Sequence, residues 1–173
     1  MKEEKEDNLL DAEVREAYRE KLFGVVRHMN NVNESAALLA ERIIKTAESE
    51  QDLAFARRLV QRVRSHDLSK LEGMEWKFLH RDEENKDAFL FAIEQHQQSN
   101  PHHPEFHAGG ISEMNDLHLA EMVCDWKSRS MEMGTDLRTF IKEEATKKYG
   151  FSTKTKIYKR IKKYVDLLLD PTF

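Results

Sequence analysis

The sequence predicts an all-α fold, a single-domain bundle of about six to eight helices. Three observations predict it. Apolar residues recur at three- and four-residue steps along most of the chain. No stretch sustains the two-residue alternation of a half-buried strand. Six glycines and three prolines in 173 residues leave little to interrupt long helices.

Residues 1–8 are expected to be a flexible charged lead, with residues 9–173 forming the one domain. Leu10, Val14, Tyr18, Leu22, Val25, Val26 and Met29 share one helical face, with His28 at its end. The polar run Asn30 to Asn33 is expected to break or bend that helix. Asn33 then caps a second one with Ala37, Leu38, Ala40, Ile43 and Ile44 inward. Leu53, Ala56, Leu59, Val60 and Val63 predict a third, ending near Ser69 and so carrying His66 and Asp67 at its carboxyl end. Gly73 to His80 reads as one or two turns, and the charge run Arg81 to Asp87 as a solvated loop or first helical turn. Phe89, Leu90, Ile93 and His96 continue at helical spacing, after which two prolines and two glycines exclude regular helix from Asn100 to Gly110. A helix beginning near Met114 to Asp116 carries Leu117, Ala120, Glu121, Val123, Cys124 and Asp125. Thr135 or Asp136 caps the next, with Leu137, Phe140, Ile141 and Ala145 inward. Last, Lys154 to Leu169 turns Ile157, Ile161, Tyr164, Val165 and Leu168 to the core and its lysines to solvent.

Composition narrows the function classes. Charged residues make up 35 % of the chain and the net charge is -4, so no basic excess favours nucleic acid. No apolar run approaches the ~18 to 20 residues of a membrane span. The opening M-K-E-E-K-E-D is too acidic for a signal peptide, and the single cysteine, Cys124, fits a reducing compartment. The expected location is the cytoplasm, and a homo-oligomer through the outer faces of the terminal helices stays open.

The chemistry centres on S-H-D-L-S-K at 65–70. With His66 and Asp67 come His28 upstream, His96 and the pair His102 and His103 downstream, and Asp125. Imidazole and carboxylate without a thiolate set suit one or two divalent ions: manganese, iron, cobalt, magnesium, nickel or zinc. Neighbours on a helix diverge by ~100°. One allocation gives His28, His66 and Asp125 to one ion, His96 and a loop histidine to another, and makes Asp67 the bridge. Asp125, flanked by Met122, Val123, Cys124 and Trp126, is costly to bury without a metal or a cation, Lys127 and Arg129 being the competing partners. One of His102 and His103 is expected to be a ligand and the other a surface turn residue. Lys70 suits a phosphate, though a helix-end lysine is an equal account. Glu72, Glu105 and Asn100 are candidates to orient the ligands. His80, His107 and His118 are read as ordinary polar residues, Trp76 and Trp126 as core, and Cys124 as a small buried filler.

The ordered blocks H-D-L-S-K at 66–70, H-Q-Q-S-N-P-H-H-P-E at 96–105 and E-M-V-C-D-W at 121–126 resemble the HD-domain superfamily of metal-dependent phosphohydrolases. They look most like an uncharacterised HD-like family of bacteria and phages. The resemblance spans His28 to Trp126. It implies an HD-like bundle in which His28, His66, Asp67 and Asp125 form the core metal shell, with His96 and His103 as the added histidines of two-metal members. His96 and His103 stand closer in sequence than in many such relatives.

The expected activity is hydrolysis of a small phosphate ester of the nucleotide type. Asp67 and Lys70 are expected to carry the chemistry, and Lys70, His102 and Asn100 to contact substrate. The alternatives are a di-iron oxygenase using the same ligand set, and a non-catalytic module binding a nucleotide or a partner chain.

Overall fold

The computed structural model describes residues 11–79 and 85–172. The charged lead, Leu10, His80 and most of the 81–87 charge run lie outside them. Helix α1, Ala12–Lys45, is one continuous rod of 34 residues, about 51 Å long. Asp11 caps it by accepting from the Glu13 amide at 2.9 Å.

The break expected at Asn30 to Asn33 does not occur, for a physical reason. Asn33 turns its side-chain amide back along the helix to the Met29 carbonyl at 2.8 Å, so its polarity is satisfied without leaving helical geometry. Val32, inside the same run, is fully buried and keeps the helix anchored. Continuity also shifts the buried face. It runs Val25, His28, Val32, Ala36, Leu39 and Ile43, and leaves Leu38 and Ile44 exposed. Val14 and Tyr18, expected inward, are more than half exposed, because the amino-terminal half of α1 extends past the core.

Helix α2, Glu50–Val63, starts with a capping box in which Ser49 and Asp52 each satisfy the other's backbone amide. Ala56, Leu59 and Val63 enter the core, whereas Leu53 is exposed. The helix stops three residues before His66, so the His-Asp pair lies beyond its end and not on it. Helix α3, Gly73–Phe78, and helix α4, Lys86–Ser99, follow. Between residues 100 and 115 the chain makes two short 3-10 turns, Pro104–Phe106 and Gly110–Glu113.

Helix α5, Asp116–Met133, is capped by Asn115 and closed by Gly134 in the left-handed conformation at φ 65°. Residues 119–126 are all buried, as expected of a helix surrounded by others. Asp136 caps α6, Leu137–Phe140, which continues through a π turn, Ile141–Ala145, into α7, Thr146–Lys148. Helix α8, Lys156–Leu169, is capped by Thr155 and buries the five residues its spacing assigns inward.

Helix α1 packs on α2, α5 and α8, and α5 also contacts α2 and α8, so these four hold the core. Among the described residues there is no strand, and no helix is long and apolar enough to cross a membrane. Leu39, with no exposed surface, lies where α1 meets that core. Leu39→Ala is expected to cost ~2 to 5 kcal/mol, read as a lowered midpoint of denaturant unfolding.

Candidate metal centre

The site is built on an irregular turn. After Val63 the chain tightens, with His66 donating its backbone amide to the Val63 carbonyl at 3.0 Å. Asp67 then adopts φ 57° and ψ 18°, the left-handed conformation that aspartate tolerates better than most side chains. This reversal changes the neighbour geometry anticipated for a helix. Instead of diverging, His66 and Asp67 both turn inward, each 1 % exposed.

Asp67 is the hub. Its Oδ2 lies 3.5 Å from His28 Nε2 and 3.4 Å from His66 Nε2, and also meets Lys70 Nζ. Its Oδ1 lies 3.3 Å from His96 Nε2 and 3.4 Å from His102 Nε2. Asp125 Oδ1 closes the first side, 3.1 Å from His28 Nε2 and 4.0 Å from His66 Nε2. His103 closes the second, with its Nε2 at 3.0 Å from His96 Nε2. The elements supplying these groups are α1, the 65–71 turn, α4, the 100–110 loop and α5.

An outer layer of carboxylates fixes the rings. Glu132 meets His28 Nδ1 at 2.9 Å, Glu75 meets His96 Nδ1 at 2.7 Å and Glu121 meets His66 Nδ1 at 3.2 Å. The same Glu121 oxygen lies 3.5 Å from His102 Nδ1, while its second oxygen accepts from Arg62 Nε at 2.8 Å. A carboxylate on Nδ1 fixes the ring orientation and makes Nε2 the better electron-pair donor.

The charges follow from these contacts. At His66 burial opposes the proton, but the neighbouring carboxylates of Asp67 and Glu121 outweigh it and push the imidazole up to about 10. His28 is raised likewise, burial being overcome by Asp125 and then Asp67. Burial also opposes the charge on Asp67, yet His28, His66 and His96 hold its carboxyl well below the usual range. Burial lowers His103 to about 4 and pushes His102 down as well, so both rings are neutral near pH 7.

This sets a pH dependence for the metal-free chain. His66 in the folded state lies above its ordinary 6.5, so the stability it adds is fully present below 6.5 and is lost as pH rises toward about 10. Thermal melts of chelator-treated protein should therefore fall between those limits. A flat profile would show that His66 carries no proton there.

Both members of the His102 and His103 pair belong to the cluster. His102 is 1 % exposed and His103 half-buried, so the expectation that one is only a surface residue is corrected. The proline-bounded loop turns both rings inward, their centroids 4.2 Å apart. Lys70 stands at Asp67 and on the wall of the adjoining pocket. His102 and Asn100, expected to touch substrate, do not line that pocket. His102 lies within the ligand cluster. The Asn100 amide lies behind His96, donating to its carbonyl at 2.8 Å and to Ser69 Oγ at 3.2 Å. Glu72 is exposed, and Glu105 approaches Lys148 at 3.9 Å. The ring-orienting roles considered for those two belong to Glu75, Glu121 and Glu132. Asp125 takes His28 as partner, while Arg129 bonds Glu132 at 3.1 Å. Cys124 is fully buried, and burial pushes its thiol well above the ordinary range, which suits a filler.

Glu121, Asp125 and Glu132 are four and seven residues apart on one helix, an acidic stripe along one face of α5. That spacing is the signal that could have found the outer layer. Glu75 has none, since His96 lies 21 residues away from it.

The arrangement fits a divalent metal. His28 Nε2, His66 Nε2, both ring nitrogens of His102 and Asp67 Oδ1 are buried without a hydrogen-bond partner, and an unsatisfied buried polar atom is costly. Three overlapping sets bring their ligand atoms within 4.8 Å: Asp67, His96, His102 and His103; His28, His66 and Asp67; His66, His102 and Asp125. Beside them opens a pocket of about 600 Å³, with Arg27, Lys70 and Arg129 on its wall and Leu79, Phe89 and Ile93 on an apolar side.

Compared with known proteins, residues 18–170 match the family model DUF5662, a family of unknown function, and the chain belongs to that family. No curated protein and no solved structure matches it.

Proposed function

We propose that this protein is a metal-dependent phosphohydrolase acting on a small phosphate ester of the nucleotide type. One observation carries the reading: unpartnered imidazole nitrogens of His28, His66 and His102 converge on Asp67, beside a pocket that His28, His96, His103 and Asp125 line together with the cations Arg27, Lys70 and Arg129. The order of the histidine and aspartate blocks, which resembles the HD-domain superfamily, supports it.

His28, His66 and Asp67, with Asp125 beside His28, would hold one ion, and Asp67, His96, His102 and His103 a second. Bound there, a divalent ion polarises a phosphoryl oxygen and lowers the pKa of its water toward ~7. The chain supplies the rest. Asp67 presents one oxygen to each half of the cluster, and Lys70 at its Oδ2 favours the ionised carboxylate. Arg27, Lys70 and Arg129 attract and orient a phosphate dianion. Glu75, Glu121 and Glu132 keep the rings aimed. Leu79, Phe89 and Ile93 give the organic half an apolar surface.

The test is reconstitution with manganese, cobalt, magnesium, nickel, iron or zinc, followed by assay on phosphomonoesters and on cyclic and linear nucleotides. Phosphate release with at least one metal, abolished by chelator, is expected. Fully loaded protein that stays inert throughout overturns the reading, and oxygen-dependent turnover by an iron-loaded form would move the assignment to an oxygenase.

A further inference from the structure

The amino-terminal stretch of α1 is helical without a core to bury it. Residues 11–20 are all exposed, so about two and a half turns stand clear of the bundle. A helix of that length is marginal in water, because most helical stability in proteins comes from packing an amphipathic face. Such a face is present. Val14, Ala17, Tyr18 and Lys21 recur at three- and four-residue steps and continue the side of α1 that buries Val25, His28 and Val32 further along. The opposite side is charged and satisfied, with Arg19 pairing to Glu16 at 2.8 Å.

Among the described residues this face floors an open hollow lined by Val14, Ala17, Tyr18, Glu20, Lys21 and Gly24, all from α1. Trp76 of α3 packs on Tyr18, ring centroids 5.2 Å apart, and under the Lys21 ammonium at 4.3 Å, without lining the hollow.

Shape and charge select a second α1 running antiparallel. Val14 and Lys21 take the a positions of two heptads, and the small residues Ala17 and Gly24 the d positions. With a set against d, Val14 of each chain faces Gly24 of the other, where a Cβ would meet nothing within 4 Å, and the Lys21 stem crosses Ala17. The same register sets Glu13 beside the other chain's Arg27, twice by the two-fold symmetry. A parallel pair does not fit this fold, because both helices would then run into the space where α2, α5 and α8 pack on α1 from Val25 onward. In the antiparallel pair each core lies beyond the amino-terminal end of the other chain's helix.

We infer that the 14–24 face of α1 is a self-association surface whose occupant is the same face of a second copy, in antiparallel register. It requires neither the metal nor the phosphohydrolase reading. Glu20 meets its own copy near the two-fold axis, a like-charge contact that holds the dimer below its greatest affinity.

The experiment is sedimentation velocity of the full chain over a concentration series. Wild type should pass from monomer to dimer through the micromolar range. Ala17→Glu, which sets two carboxylates between the helices, should weaken association at least tenfold while the circular dichroism of the monomer stays that of wild type. Glu13→Arg should weaken it as well, and Glu13→Arg combined with Arg27→Glu should restore it, since the swap rebuilds opposite-sign pairs only where position 13 meets position 27. Glu20→Gln should tighten it. If Ala17→Glu disturbs the helix, the charge swap alone decides. Wild type that stays monomeric at high micromolar concentration overturns the proposal, whether residues 1–10 or another protein covers the hollow. A dimer that a well-folded Ala17→Glu leaves intact, that Glu20→Gln weakens, or that the double swap fails to restore overturns it too, because a different face or register would then join the chains.

Discussion

Replacing Asp67 with alanine is expected to empty the site of metal and to abolish turnover. Its two oxygens reach both halves of the cluster, lying within 3.5 Å of Nε2 atoms from His28, His66, His96 and His102. Loss of a residue behind a metal ligand costs ~10 to 100-fold in affinity or activity, so loss of the shared ligand itself should exceed 100-fold. Metal-free stability should fall too, by ~3 to 5 kcal/mol, because Lys70 and the protonated His66 lose their buried counter-charge. Alanine also suits φ 57° poorly, so a second variant separates folding from ligation. Asp67→Asn keeps the size and the tolerance for left-handed backbone while removing the charge. It should remain folded by circular dichroism and still fail to retain metal on gel filtration. An Asp67→Asn protein with wild-type metal content would remove Asp67 from the hub.

The second large effect is expected at Glu121, which touches no position a metal would take. Its carboxylate is completely buried and bonds two groups, His66 Nδ1 at 3.2 Å and Arg62 Nε at 2.8 Å, with His102 Nδ1 at 3.5 Å. Truncation to alanine leaves two ring nitrogens and a guanidinium facing a void, a change of the kind that costs ~3 to 5 kcal/mol. It also frees the His66 ring to rotate, so metal affinity should fall ~10 to 100-fold. Glu121→Gln retains an acceptor and the packing, and should fall between wild type and Glu121→Ala in both properties. Competition with a chromogenic chelator gives the affinity, and denaturant unfolding the stability. Metal affinity unchanged in both variants would mean that the rings are held by packing alone.

Much of this was legible in the sequence because the information is local. The buried positions of α8 follow from three- and four-residue spacing, and Asp136, one of the two caps the sequence offers, caps α6. The misreading of α1 came from treating three asparagines as a stop signal. Asparagine disfavours helix on average, but Val32 among them is a core residue and its burial overrides the propensity. The metal candidates are legible because histidines and aspartates are few and fall in ordered blocks, with Asp125 set among apolar neighbours. The outer glutamates were not, because in a chain with 35 % charged residues each resembles its solvated neighbours. What distinguishes Glu75 is tertiary: Ser69 and His96 are brought to it by a turn and a separate helix. The left-handed Asp67 was equally hidden, since no local pattern announces that the chain reverses there.

The central claim is that this cluster is a metal site, and elemental analysis of the purified, reconstituted chain tests it most directly. One or two divalent ions per chain are expected, retained through gel filtration in wild type and absent from Asp67→Asn. Wild-type protein that retains none after exposure to each of the six metals, or an Asp67→Asn chain that retains as much as wild type, would contradict it.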